Sequence, residues 1–510
     1  MQIGIKLAQW SAVALLALAT LDARAEQGTS LYSVPTKAVE RRPSSIRVGY
    51  ESVKLPGNDA MGMVGTTYLI EVLPGISIGP AAYGAIDGKQ GGFFTVGGEL
   101  AWTQRLMDRV DLQAGLYLGA GGGGGGSDNG KSLWGGGMML RPHADLLWDL
   151  DLFKAGASLS HVSFPDGGSV ESTQLGLSLQ MDTEFKSLSP ELVGHNLSSS
   201  GRQGFGFDRI TGTAGAYLPD AGSKKNDGSA PPSKMAFAGV RMEQFINPNL
   251  YWGFEAAGAA SGGSAGYAEY LFLVGAETPL GDALSLGGRV SLGMGGGGGV
   301  SVGGGLLTKA AGYASYGLTD ETHLSLEGGL VRAPDGNFQA SFLTGGLTID
   351  LDHPYAPGLH NQVVENEFVF GSAHYFSAAK KSGPAEGVDL LTIKLNRYLS
   401  ETVYLTGQAH SAYLGNSGSY SEGLIGLGYR SSPLLQGLRL GAEMLVGAGG
   451  GGGVDTSGGA IVVPMGYLEY DLTRDLALKL GAGRVMSVSG PLSATVLDLG
   501  LSFDFGTNMR

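Results

Sequence analysis

A chain of 510 residues with 43% apolar residues and 90 glycines is long enough for several small domains or one large one. Its formal charge of −13 excludes a general nucleic-acid binder, which needs a basic surface. The lack of any cysteine excludes disulfide staples, a thiolate metal centre and a lipid-modified N-terminal cysteine.

Residues 1–25 carry the marks of an export signal. Lys6 gives a charged start, Ala12 to Leu21 an apolar stretch, and Ala23-Arg24-Ala25 a small-x-small cleavage site. A membrane-anchoring helix needs about 18 or more apolar residues. Residues 26–44, with Pro35, Pro43 and Glu40-Arg41-Arg42, read as a leader without regular structure.

From there the chain alternates. A period of two marks a strand with one apolar face. The first unit, 45–185, predicts strands at Ile46–Leu55, Met63–Val72, Ser77–Ala85, Phe93–Trp102 and Asp111–Ala120, then Gly136–Trp148, Leu152–Ser163 and Glu171–Phe185. A linker, 186–203, follows. The second unit, 204–351, predicts Gly204–Tyr217, Met235–Ile246, Leu250–Gly258, Tyr267–Glu277, Leu284–Met294, Gly303–Gly317, His323–Val331 and Phe338–Leu351. After a second linker, 352–366, the third unit, 367–510, predicts Glu367–Phe376, Val388–Leu399, Val403–Tyr413, Glu422–Arg430, Leu438–Ala448, Ile461–Asp471, Leu476–Ser487 and Ala494–Phe505.

The fifth strand of each unit runs into a glycine run: Gly121–Gly126, Gly295–Gly299 and Gly449–Gly453. The same strand and run seen three times make an internal repeat. The runs read as flexible loops, or as places where backbone closely approaches another strand or a ligand. Connectors sort by parity: tight turns such as Pro74-Gly75, Met107-Asp108-Arg109 and Asn247-Pro248-Asn249 alternate with longer glycine-rich or polar loops. Membrane barrels have this asymmetry of short turns and long loops.

Each unit also ends on one pattern, in Gln174–Met181, Thr344–Leu351 and Asp498–Phe505. The last resembles the C-terminal insertion signal of Gram-negative outer-membrane β-barrel proteins, although five residues, Gly506 to Arg510, follow where family members usually stop. The resemblance implies an all-β, transmembrane, antiparallel up-and-down barrel in the outer membrane. It also implies outer-membrane lipid and lipopolysaccharide as surroundings, and barrel-assembly machinery as the partner of Asp498–Phe505. Lipid offers the backbone no hydrogen-bond partners, so a spanning sheet must close on itself. Two closures fit: one barrel of about 24 strands, or three fused barrels of about eight. Inward glycines (Gly115, Gly287, Gly437, Gly441) would leave voids in a narrow barrel, which favours the single wide one.

Candidate chemistry follows from facing. Glu99, Arg289, Arg439 and Glu443 fall on inward rows and would set the selectivity of a porin-like channel for small polar solutes. His161, Ser163 and Glu171 fall on outward rows at the external end, a nucleophile–base–orienter set. The His-x-Ser resembles the site of lipid A deacylase barrels, which implies an outer-leaflet lipid-modifying hydrolase as the second reading. A structural or export barrel for a surface polymer is the third. Gly125–Ser132 satisfies G-x-x-x-x-G-K-S, but Leu133-Trp134-Gly135-Gly136-Gly137 will not start the helix that a phosphate loop needs. The histidines lack metal-ligand spacing, so neither a metal nor another cofactor is expected.

Overall fold

The computed structural model describes residues 39–195 except 126, 129 and 130, residues 203–351 except 282, and residues 362–508 except 436. The export signal and most of the leader therefore lie outside the described residues. The first unit comprises β1 (Val39–Lys54), β2 (Ala60–Leu73), β3 (Ile76–Asp87), β4 (Phe94–Met107), β5 (Val110–Gly122), the short pair β6 (Ser127–Asp128) and β7 (Lys131–Ser132), then β8 (Met138–Asp149), β9 (Lys154–Ser163) and β10 (Glu171–Leu188). The second comprises β11 (Arg209–Pro219), β12 (Met235–Phe245), β13 (Leu250–Ser261), β14 (Ala268–Pro279), β15 (Leu284–Gly296), β16 (Leu306–Gly317), β17 (Thr322–Arg332) and β18 (Gln339–Asp350). The third comprises β19 (Val363–Ala378), β20 (Glu386–Tyr398), β21 (Val403–Leu414), β22 (Ser421–Arg430), β23 (Leu438–Gly450), β24 (Ala460–Asp471), β25 (Leu476–Ser487) and β26 (Ser493–Asn508).

Every strand expected from alternation forms, and strands reach into segments assigned to the leader and linkers. β1 already runs at Val39, β10 continues to Leu188 and β19 begins at Val363. Arg41 and Arg42 in this extension pair with Lys186 and Phe185 of β10, so a charged, Pro-bearing stretch is held by its partner strand.

The pairing closes within each unit. β1 pairs antiparallel with β10, from Val39↔Leu188 to Glu51↔Gly176. β11 pairs with β18, from Arg209↔Asp350 to Pro219↔Ala340, and β19 with β26, from Val363↔Asn508 to Phe376↔Thr495. Among the described residues, one pair, Leu188↔Gly506, joins the first and third sheets. Through that pair the strands of the first and third units form one sheet of sixteen strands, and β11–β18 form a closed barrel.

The inward glycines are covered by aromatic and imidazole rings. Gly115 stands opposite His143 in the ladder, Gly287 opposite Tyr313, and Gly441 opposite Tyr467. In each case the partner's ring lies over the glycine so closely that a Cβ would overlap it. Gly65 with Tyr83, Gly275 with Tyr251, and Gly428 with Tyr404 repeat the device. Absence of a side chain on one strand is what lets a ring lie flat inside a narrow barrel. Gly437 differs: its φ of 85° places it at a turn beside Asp471.

The glycine runs join the units to one another. A Cβ on Gly122 would strike Gly418 and Ser419 of the β21–β22 loop. One on Gly296 would strike Gly91 and Gly92 of the β3–β4 loop, and one on Gly450 would strike Ala265 and Gly266 of the β13–β14 loop. Each run thus docks, backbone against backbone, on the corresponding loop of another unit, and the three contacts close into a ring. Gly91 N–H donates to Gly303 O at 3.0 Å, Gly415 N–H to Asp166 Oδ2 at 3.1 Å, and Phe94 stacks on Tyr270 at 3.7 Å between ring centroids. Close approach, one of the two readings of the runs, is what the geometry contains, and positive φ at Gly297, Gly298 and Gly299 adds a conformational demand.

Candidate functional site

The interior of each unit is layered. At the long-loop end sits an apolar plug. In the first unit Met61, Met63, Phe93, Trp134, Met139 and Phe164 form one buried cluster. Tyr217, Phe237, Tyr267, Val302, Leu307 and Phe338 do so in the second, and Tyr375, Val388, Tyr420, Ile461, Val485 and Leu492 in the third. Toward the short-turn end the fill becomes ionic.

In the first unit Arg47 donates to Asp145 Oδ2 at 2.7 Å and to Gln113 Oε1 at 2.6 Å, and it pairs with Glu99. His143 Nε2 lies 3.1 Å from the same Glu99. Arg141 clamps Glu51 through two N–H groups at 2.8 and 2.9 Å. In the second unit Arg241 holds Glu255 and Glu327, Arg289 holds Glu243 at 2.8 Å and Glu327 at 3.3 Å, and Lys309 bridges Glu255 and Glu269. In the third, Lys479 bridges Glu367 and Glu469, Arg430 bridges Glu365 and Glu469, and Lys394 meets Asp498 at 2.7 Å. A buried charge is tolerated only when paired and hydrogen-bonded, and these networks meet that demand.

Of the four expected lumen residues Glu99, Arg289 and Glu443 are buried and Arg439 is part-buried, and each is engaged. Glu99 is held by Arg47 and His143, and Arg289 by Glu243 and Glu327. Arg439 pairs with Glu469 and Asp471, while Glu443 accepts from Tyr404 at 2.6 Å and Gln408 at 3.0 Å. The other cations of the three networks, Arg47, Arg141, Arg241, Lys309 and Lys479, are not singled out by the sequence reading. The signal is in the alternation: Lys479, between the outward Leu478 and Leu480, falls on the opposite, inward row.

The outward candidates come together only in part. Ser163 and Glu171 are ladder partners, as are His161 and Thr173. His161 Nδ1 is bonded to Thr173 Oγ1 at 2.8 Å, and its Nε2 lies 3.9 Å from Glu171. No hydrogen bond joins His161 to Ser163 among the described residues, although nucleophilic activation needs one. His161→Ala is expected to leave the acylation of lipid A unchanged, read by mass spectrometry against a strain lacking the protein. A shift restored only by His161 would reinstate the hydrolase.

The G-x-x-x-x-G-K-S stretch lies partly outside the described residues. Ser127 pairs with Ser132, and turns and bends lead directly into β8 rather than into a helix. Among the described residues no group of three or more His, Asp or Glu side chains could hold a metal ion.

No protein-family profile and no curated protein matches this chain. Among solved structures, Pseudomonas aeruginosa OpdQ is similar at 9% identity and a TM-score of 0.23, covering 92% of this chain and 98% of its own. The siderophore receptor PirA of the same organism matches at 10% identity and a TM-score of 0.27, over 93% of this chain and 81% of its own. The outer membrane protein OpdK matches at 12% and 0.23, over 91% and 99%. Similarities of this size leave the functional reading to the chain's own geometry.

Proposed function

We propose that this chain is an outer-membrane protein of three fused eight-stranded barrels, closed in the conformation described, acting first as a structural barrel that anchors its long-loop face to the membrane. The observation that carries this is the reversal of polarity across each sheet wall. On β10 the outward Leu175 and Leu177 are 75% and 69% exposed, while Gln174, Ser178 and Gln180 on the inward row are buried. Outward rows on other strands are alike, as in Leu286, Val290 and Leu292, or Leu440, Met444 and Val446. A water-soluble protein does not expose apolar bands of that extent, and lipid supplies the solvent they require. In that setting the outward rows meet lipid and lipopolysaccharide, and Asp498–Phe505 on β26 is the segment offered to assembly machinery.

A porin-like channel for small polar solutes is the second reading, favoured by the ionisable groups inside each barrel. Conduction would require both the apolar plug and pairs such as Arg47–Glu99 to part, so a conducting state would be narrow and rare. Planar-bilayer recording separates the two. The closed structural barrel predicts no sustained open-pore current, in wild type or in Glu99→Gln. Stable stepwise conductance in wild type would overturn it in favour of the channel.

A further inference from the structure

The third barrel holds a buried carboxylate that lies outside its ionic network. Near the short-turn end of this barrel four carboxylates, Glu365, Glu367, Glu469 and Asp471, share three cations, Arg430, Arg439 and Lys479, and Asp504 is a fifth carboxylate close by in the ladder. Asp504 is left over. It is 7% exposed, has no ion-pair partner among the described residues, and its Oδ1 accepts no hydrogen bond. Its ladder partner across β19–β26 is Glu367, which is fully buried and bound to Lys479.

A second unsatisfied acceptor lies on the same ladder row. Asn396, the partner of Glu367 on the opposite side, is fully buried. Its Nδ2 donates to Glu367 Oε2 at 2.8 Å, which fixes the amide and leaves Oδ1 without a donor. One row across β20, β19 and β26 thus carries an unsatisfied amide oxygen, a carboxylate and an unpaired carboxylate. Buried acceptors require a donor or a positive charge, and an all-oxygen set suits a hard cation.

We propose that this row, Asn396, Glu367 and Asp504, binds a monovalent alkali cation inside the third barrel, reached from the short-turn mouth. Two carboxylates, one already neutralised by Lys479, suit a single charge rather than a divalent ion. Lys394 pairs with Asp498, and His410 pairs with Glu422, so neither serves Asp504. The inference rests on the closed third barrel and not on the membrane setting.

The test is thermal unfolding of the full chain in detergent micelles, with sodium chloride exchanged for choline chloride at fixed ionic strength. The midpoint is expected to rise by about 3 °C for each tenfold increase in sodium above the dissociation constant. Asp504→Asn is expected to abolish that dependence and to unfold in choline at or above the wild-type midpoint. Asp471→Asn, whose carboxylate pairs with Arg439, should keep it. A wild-type midpoint indifferent to both sodium and potassium would overturn the site, as would an Asp504→Asn chain that still responds. Should the variant fail to fold, broadening of the sodium-23 resonance by wild-type protein, reversed by excess potassium, decides the matter, and its absence overturns the site.

Discussion

Arg241→Met is expected to lower the stability of the second barrel by about 3 kcal/mol, because it takes one of two counter-charges from each of two buried carboxylates. Arg241 reaches Glu255 and Glu327, and all three side chains are at most 3% exposed. Glu255 keeps Lys309 and Glu327 keeps Arg289, so the network is weakened rather than erased. Trp252 on β13 reports on this barrel, so denaturant unfolding in micelles followed by tryptophan fluorescence, with the other tryptophans replaced by phenylalanine, gives the measurement. Adding Glu255→Gln and Glu327→Gln should recover much of the loss, since neutral isosteres remove the uncompensated charge. An unchanged midpoint in the single variant would mean that water reaches the interior and screens the carboxylates, and the closed lumen would then be abandoned.

Gly92→Leu has the second large effect, expected at about 3 kcal/mol or more. Left-handed backbone costs about 1–2 kcal/mol in an L-residue, and overpacking supplies the rest. Gly92 has φ of 93°, and its Cβ would fall on the backbone of Gly296 and Gly297 in the neighbouring unit. Because that backbone belongs to another barrel, the substitution should loosen the first barrel from the second while both remain closed. Faster protease cleavage within residues 186–203, with strand content by circular dichroism unchanged, is the expected result. Gly263→Leu is the control. It lies in the corresponding loop of the second unit with φ of 73°, but its Cβ would meet nothing within 4 Å. If both variants behaved alike, backbone strain alone would explain the effect and the ring of glycine contacts would lose its assigned role.

How far the sequence carried depended on the range of the interaction involved. Strand positions were legible because alternation is local: Leu112, Leu116 and Leu118 face one way and Asp111 and Gln113 the other, whatever the strand pairs with. The inward placement of Glu99, Arg289, Arg439 and Glu443 came from the same rule, and so did the threefold repeat. The closure did not. Whether β10 turns back to β1 or runs on to β11 depends on what fills the interior, and Gly115, Gly287 and Gly441 taken singly do not reveal the rings that cover them. The ring that covers Gly287 belongs to Tyr313 on the next strand, and only the ladder register sets them side by side.

The amino-acid sequence by itself determined where the strands of the described residues lie and which of their residues share a face. These follow from periodicity and turn chemistry, which act over a few residues. Tertiary structure alone decided that β1 meets β10, β11 meets β18 and β19 meets β26, that Arg47 finds Glu99 and Arg241 finds Glu327, and that the glycine runs contact loops of other units. Those outcomes turn on contacts between residues far apart in the chain, where the cost of burying a charge or an unpaired amide is resolved only by the partner that the fold brings within reach.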